Sequence, residues 1–215
     1  LQATKLKMLK ANGEQYTADT WTNDYIDVSL ENSKYESTYS SISSSAQTVA
    51  QTSGSTKISA IGKTNLRVTT TDGISTVTKD YTIMIDNVRP TVILAMKKGS
   101  NSGDDYASNT WTNQSIYVYS AATDELSGIQ NTSITIDGSK SSLTSQLIEK
   151  EGNHNATLEV EDYAGNSAIG DTMTIKIDKT NPLATLTASV DYKTINFTIN
   201  ASGANSGINL SNSRY

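Results

Sequence analysis

Few residues of this chain are placed to do covalent chemistry. His154 is the only histidine. Flanked by Gly152 and Asn153, it reads as a solvated loop residue, and no G-x-S-x-G stretch or zinc-spaced histidine pair accompanies it. Cysteine is absent, which rules out thiol catalysis, disulfides and thiolate metal sites. The adjacent acids Asp104-Asp105 and Asp124-Glu125 have the atoms for general acid–base work. No insertion around them builds a cleft, so they read as solvated loop charges, and the chain is not expected to be an enzyme. Binding chemistry remains. Oxygen donors stand on Asp86, Asp124, Glu125, Asp162 and Asn166, and aromatic faces on Tyr117, Tyr119, Trp21 and Trp111. The tryptophans open strands and are expected to cover the bottom of a core. Tyr117 and Tyr119 are expected to point outward, either as a sugar-stacking platform or simply as good strand formers.

The elements that must position these residues are strands. Ala156, Leu158 and Val160 alternate with polar partners, Asp162-Tyr163-Ala164-Gly165-Asn166 interrupts, and Met173, Ile175 and Ile177 alternate again before Asp178…Pro182. Period-two alternation on both sides of a Gly/Asn turn predicts an antiparallel hairpin with one buried face. Leu66, Val68 and Thr70, a turn at Asp72-Gly73, then Tyr81, Ile83 and Ile85 before Asp86…Pro90 repeat the pattern. Pro90 and Pro182 are ninety-two positions apart, and the TWTN stretches at 20–23 and 110–113 ninety apart. The chain therefore divides into repeats over 1–89 and 90–181 and the start of a third over 182–215. In the third, Ile195, Phe197 and Ile199 align with Ile116, Val118 and Ser120, and Ser206-Gly207-Ile208 with Ser127-Gly128-Ile129. Residues 31–64, rich in Ser and Thr, give only weak strand signals. Turn-bounded strands in a unit of about ninety residues predict an all-β chain of tandem immunoglobulin-like sandwiches, Greek-key and about seven-stranded, arranged in line.

Composition agrees. Seventeen Lys and Arg against 22 Asp and Glu give a net charge of −5, and no basic stripe offers a footprint for nucleic acid. A 35% hydrophobic share is low for one large core and suits thin sandwiches whose strands hide one face each. No apolar run approaches a bilayer span. The N-terminal LQATKLKMLK is too polar for a signal peptide's apolar region, so a mature or excised fragment is expected.

TWTN, TDELSGI, EGNHNATLEVEDYAGN and TIKIDKTNP, in that order, resemble the tandem bacterial Ig-like repeats of exported surface proteins. The second repeat matches nearly throughout. The first has Thr70 and Ile74 where Asp162 and Asn166 stand and lacks SGI. The resemblance implies a stalk, adhesin or accessory module outside the cell. It also implies that the loop at 123–129, the turn at 162–170 and the linker at 86–87 meet at one end of the second sandwich. Asp86, Asp124, Glu125, Asp162 and Asn166 would then converge on one hard cation, calcium, which takes about 6–8 oxygen ligands. Alternatively, Asp162 and Asn166 only cap the turn through Asx hydrogen bonds. At the next junction Asp178 faces residues 201–208, which hold no acid, so no metal is expected there. The leading expectation is a non-catalytic stalk or filament segment whose partners are neighbouring modules or subunits, with host or cell-wall glycan or protein as further partners. The alternatives are a carbohydrate-binding accessory module of a secreted glycan-degrading enzyme, using Tyr117 and Tyr119, and a phage virion or tail decoration module.

Overall fold

The computed structural model describes residues 1–209 and 211. The chain is all-β, with eighteen strands and no α-helix among the described residues. In the first repeat β1 (Leu6–Lys10), β3 (Ile26–Leu30) and β5 (Thr56–Ile58) form one sheet. β2 (Trp21–Thr22), β7 (Thr76–Ile85), β6 (Gly62–Thr71) and β4 (Glu36–Ser41) form the other in that order. Alternation does the work: Leu6, Met8, Ile26, Val28 and Ile58 from one sheet meet Tyr39, Leu66, Val68, Ile83 and Ile85 from the other in a single core. This is the immunoglobulin-like sandwich that the period-two pattern predicts.

The second repeat is built alike. β8 (Leu94–Lys98), β10 (Ile116–Ser120) and β13 (Ser145–Ile148) make one sheet, with β10 central. β12 (Ser139–Ser141), β11 (Ile129–Ile136), β14 (Gly152–Asp162), β16 (Met173–Ile177) and β9 (Trp111–Thr112) make the other, and β15 (Ser167–Ile169) pairs with β14. The Asp137-Gly138 turn between β11 and β12 has positive φ at both residues, the backbone that a two-residue hairpin of native twist requires.

Contacts divide the described chain into two compact units. One comprises Leu1–Thr91 with Ala122–Asn131 and Val160–Ala168; the other comprises Val92–Ala121, Thr132–Glu159 and Ile169–Tyr215. β17 (Leu183–Asp191) and β18 (Thr194–Ser202) form a hairpin in the second unit. Its register puts Ala184, Leu186, Ala188 and Val190 on one face with Ala201, Ile199, Phe197 and Ile195. The opposite face is polar apart from Leu183, and every residue of both strands is exposed.

Candidate acidic site and aromatic face

Asp86 follows the last residue of β7, Asp124 lies in the loop after β10, and Asp162 ends β14. All three belong to the first compact unit, and one carboxylate oxygen of each lies within 4.8 Å of the others. Asp86 and Asp162 are fully buried and Asp124 half-buried. Local hydrogen bonds fix each one. Asp86 Oδ1 accepts from Val88 N–H (3.0 Å) and Oδ2 from Ser127 N–H (3.0 Å). Asp124 Oδ1 accepts from Leu126, Ser127 Oγ and Gly128. Asp162 Oδ1 accepts from the N–H groups of Ala164 and Asn166, in a turn that Gly165 closes at φ +92°, a conformation costly for residues with a Cβ. Thus Asx hydrogen bonding and carboxylate convergence occur together.

The two other residues expected in this set do different jobs. Asn166 turns its amide nitrogen inward, donating to the Asp86 carbonyl (2.8 Å) and to Asp162 Oδ2 (2.7 Å), so it acts as a strut. Glu125 is exposed and lines a groove beside the triad with Asp86, Arg89, Asp124 and Leu126. The ion pairs among the described residues are Arg67–Asp80, Lys97–Asp105, Lys140–Glu159 and His154–Asp137. None of them touches the triad.

Asp178 repeats the Asp86 arrangement ninety-two positions later. Its Oδ2 accepts from Ser206 N–H (2.7 Å) and Ser206 Oγ (2.6 Å), and its Oδ1 from Thr180 N–H. The hydroxyl and backbone of Ser206 hold its carboxyl below the usual range. Gly203 and Ala204 stand where the second repeat has Asp124 and Glu125.

Three expectations require correction. His154 is no solvated loop residue: it lies buried in β14. Its ring nitrogens reach Asp137 Oδ2 (2.7 Å) and the Lys150 carbonyl (2.8 Å). Gly152 opens that strand at φ +122° rather than belonging to a turn. The His154 bond and the Asn155 N–H lower the Asp137 carboxyl. Trp111 is exposed and Trp21 half-buried; each is approached by a lysine, Lys176 or Lys63, and neither fills the core. The core ends are instead closed by Tyr16 and Tyr106, which sequence reasoning missed. Each hydroxyl donates to the carbonyl before the tryptophan, Thr20 or Thr110, and accepts a strand N–H from Met84 or Lys176. Burial raises the Tyr16 phenol above its ordinary value. The available signal was a tyrosine five residues before each tryptophan.

Tyr117 and Tyr119 do lie on the outward face of β10, half-buried, with ring centroids 5.9 Å apart. They line a shallow groove with Asn101, Ser120, Thr144 and Ser145.

No family model matches the chain, and no curated protein does. Among solved structures, the fibronectin(III)-like modules of Clostridium thermocellum CbhA align at a TM-score of 0.34 and 17% identity. The alignment covers 75% of this chain and 93% of that one.

Proposed function

We propose that the chain is a non-catalytic structural segment of a secreted or surface protein and that its acidic triad takes calcium. The observation supporting this reading is the convergence of Asp86, Asp124 and Asp162, two of them fully buried, with no cationic side chain paired to them among the described residues. Hydrogen bonds from backbone N–H groups, Ser127 Oγ and the Asn166 amide hold the carboxylates but supply no positive charge. Burying a carboxylate costs several kcal/mol unless its charge is matched, and like charges this close raise that cost. A divalent cation reverses the sign of the interaction. Carboxylate oxygens are the hard donors calcium prefers, so the three aspartates would hold it while Asn166 keeps Asp162 in place. The ion would tie together segments 86–88, 124–128 and 162–166, which are far apart in sequence, and so resist pulling. Partners in this role are neighbouring modules or subunits outside the cell.

Single-molecule pulling on the full chain tests the proposal. The force that opens the first unit should rise in millimolar calcium and fall in chelator. Equal forces in both conditions would leave the aspartates as turn residues held by hydrogen bonds alone.

A further inference from the structure

The two sandwiches share their inward pattern, but their outward faces differ at the central strand. In β3 the inward residues are Ile26 and Val28, and in β10 Ile116 and Val118; all four are completely buried. Between and after them, β3 carries Asp27 and Ser29 where β10 carries Tyr117 and Tyr119. Asp27 lies opposite Leu9 and Lys57, an ordinary solvated arrangement. Tyr117 lies opposite Lys97 and Leu147, and Tyr119 opposite Ala95 and Ser145. The first sandwich shows that this position needs no aromatic residue for folding. Strand propensity alone therefore does not account for the pair in the second.

The surroundings of the tyrosines indicate what they meet. Asn101, Ser120, Thr144 and Ser145 complete the groove, so its lining is two aromatic rings plus an amide and hydroxyls, with no charged side chain. Lys97, the charged residue beside Tyr117, is drawn off to Asp105 at 2.7 Å. Rigid aromatic faces give contact area at low entropic cost, and a few placed polar groups fix orientation in such sites. A ligand that fits must present apolar C–H surface on its faces, hydroxyls at its edges and no net charge.

We propose that the outward face of the β8–β10–β13 sheet binds a neutral glycan, its sugar rings lying on Tyr117 and Tyr119 and its hydroxyls meeting Asn101, Thr144 and Ser145. This site is separate from the acidic triad, so the two ideas stand or fall independently.

Affinity electrophoresis of the full chain, in chelator, through gels containing xylan, β-glucan, galactomannan or glycol chitin tests it. At least one of these polysaccharides should retard the wild type. The variant Tyr117→Asp with Tyr119→Ser installs the pair that the first sandwich carries at this position, and unchanged urea unfolding of the variant separates loss of binding from loss of fold. Its dissociation constant should be at least about tenfold weaker, a loss of about 1.4 kcal/mol. Thr144→Val should weaken binding less. Mobility unchanged by all four polysaccharides overturns the proposal, as does equal retardation of the double variant. Binding confined to an anionic polysaccharide or to a proline-rich peptide also overturns it.

Discussion

Asp86 and Asp178 occupy the same place in their repeats and make the same bond to a serine N–H, at 3.0 and 2.7 Å. Their surroundings differ in sign. Asp86 has two more carboxylates within 4.8 Å, whereas around Asp178 the described residues supply hydrogen-bond donors, the backbone and hydroxyl of Ser206 and the N–H groups of Thr180 and Asn205. The repeat thus separates two things that one carboxylate can do: hold a loop through hydrogen bonds, and join a cluster of acids. Only the first is common to both positions.

The largest expected effect tests the shared part. Asp86→Ala leaves the buried Ser127 N–H and the part-buried Val88 N–H without their acceptor; a buried orphaned donor costs roughly 1–3 kcal/mol, and one that water reaches costs less. Urea unfolding should show a total loss of about 3 kcal/mol. Asp178→Ala should lose clearly less, and equal losses would break the comparison. Next comes charge. Asp124→Asn keeps an oxygen for Leu126, Ser127 and Gly128 but removes a negative charge. In calorimetry the wild type should gain about 2.7 kcal/mol with calcium at a hundredfold excess over its dissociation constant, and Asp124→Asn should lose most of that gain. A variant that keeps the full gain would show that the ion, if bound, sits elsewhere.

A smaller effect serves as the control for repeat equivalence. Tyr16→Phe and Tyr106→Phe each remove one acceptor for a strand N–H and one donor to a carbonyl. Each should cost about 1 kcal/mol, by the same amount within error, and a difference of twofold or more would mean that the two core ends are not equivalent. The smallest effect is with pH. The folded carboxyls of Asp178 and Asp137 are lowered by Ser206 and by His154. Their contribution is complete above the ordinary unfolded value near pH 4 and is lost as pH falls through the lower folded values. Stability should therefore decline below about pH 4, and Ser206→Ala should make that decline shallower. An unchanged acid limb in Ser206→Ala would remove Asp178 from the account.

Strand pairing was legible wherever apolar residues alternate, as in β6, β7, β14 and β16. It was not legible in 31–64, where β4 and β5 each bury one hydrophobic side chain, Tyr39 and Ile58. One residue sets no period. Asp86, Asp124 and Asp162 were expected as a group only through the resemblance, because the fold and not the local sequence brings a strand end, a loop and a turn together. Asn166 was expected to offer its oxygen; its amide nitrogen donates to the Asp86 carbonyl and Asp162 Oδ2, and a sequence does not say which end of an amide faces inward. Tyr16 and Tyr106 escaped because their partners, Met84 and Lys176, lie about seventy positions away. His154 escaped because glycine and asparagine suggest a turn, whereas here they begin a strand whose neighbours supply Asp137 and the Lys150 carbonyl.

The β17–β18 hairpin holds an apolar face in the open. Its face of Ala184, Leu186, Ala188, Val190, Ile195, Phe197, Ile199 and Ala201 corresponds to the faces that β1–β3 and β8–β10 bury against a second sheet. During synthesis, β10 leaves the ribosome some sixty residues before β16 does, a delay on the order of seconds at about 5–20 residues per second. By the end of that interval the facing sheet has β9, β11, β12, β14 and β15 but lacks β16, so the apolar face of β8–β10 is not fully covered. The apolar face of the β17–β18 hairpin is only two strands wide, and its other face is nearly all Thr, Ser and Asn. Thus the protein limits, strand by strand, how much surface a half-made module offers to the one just finished.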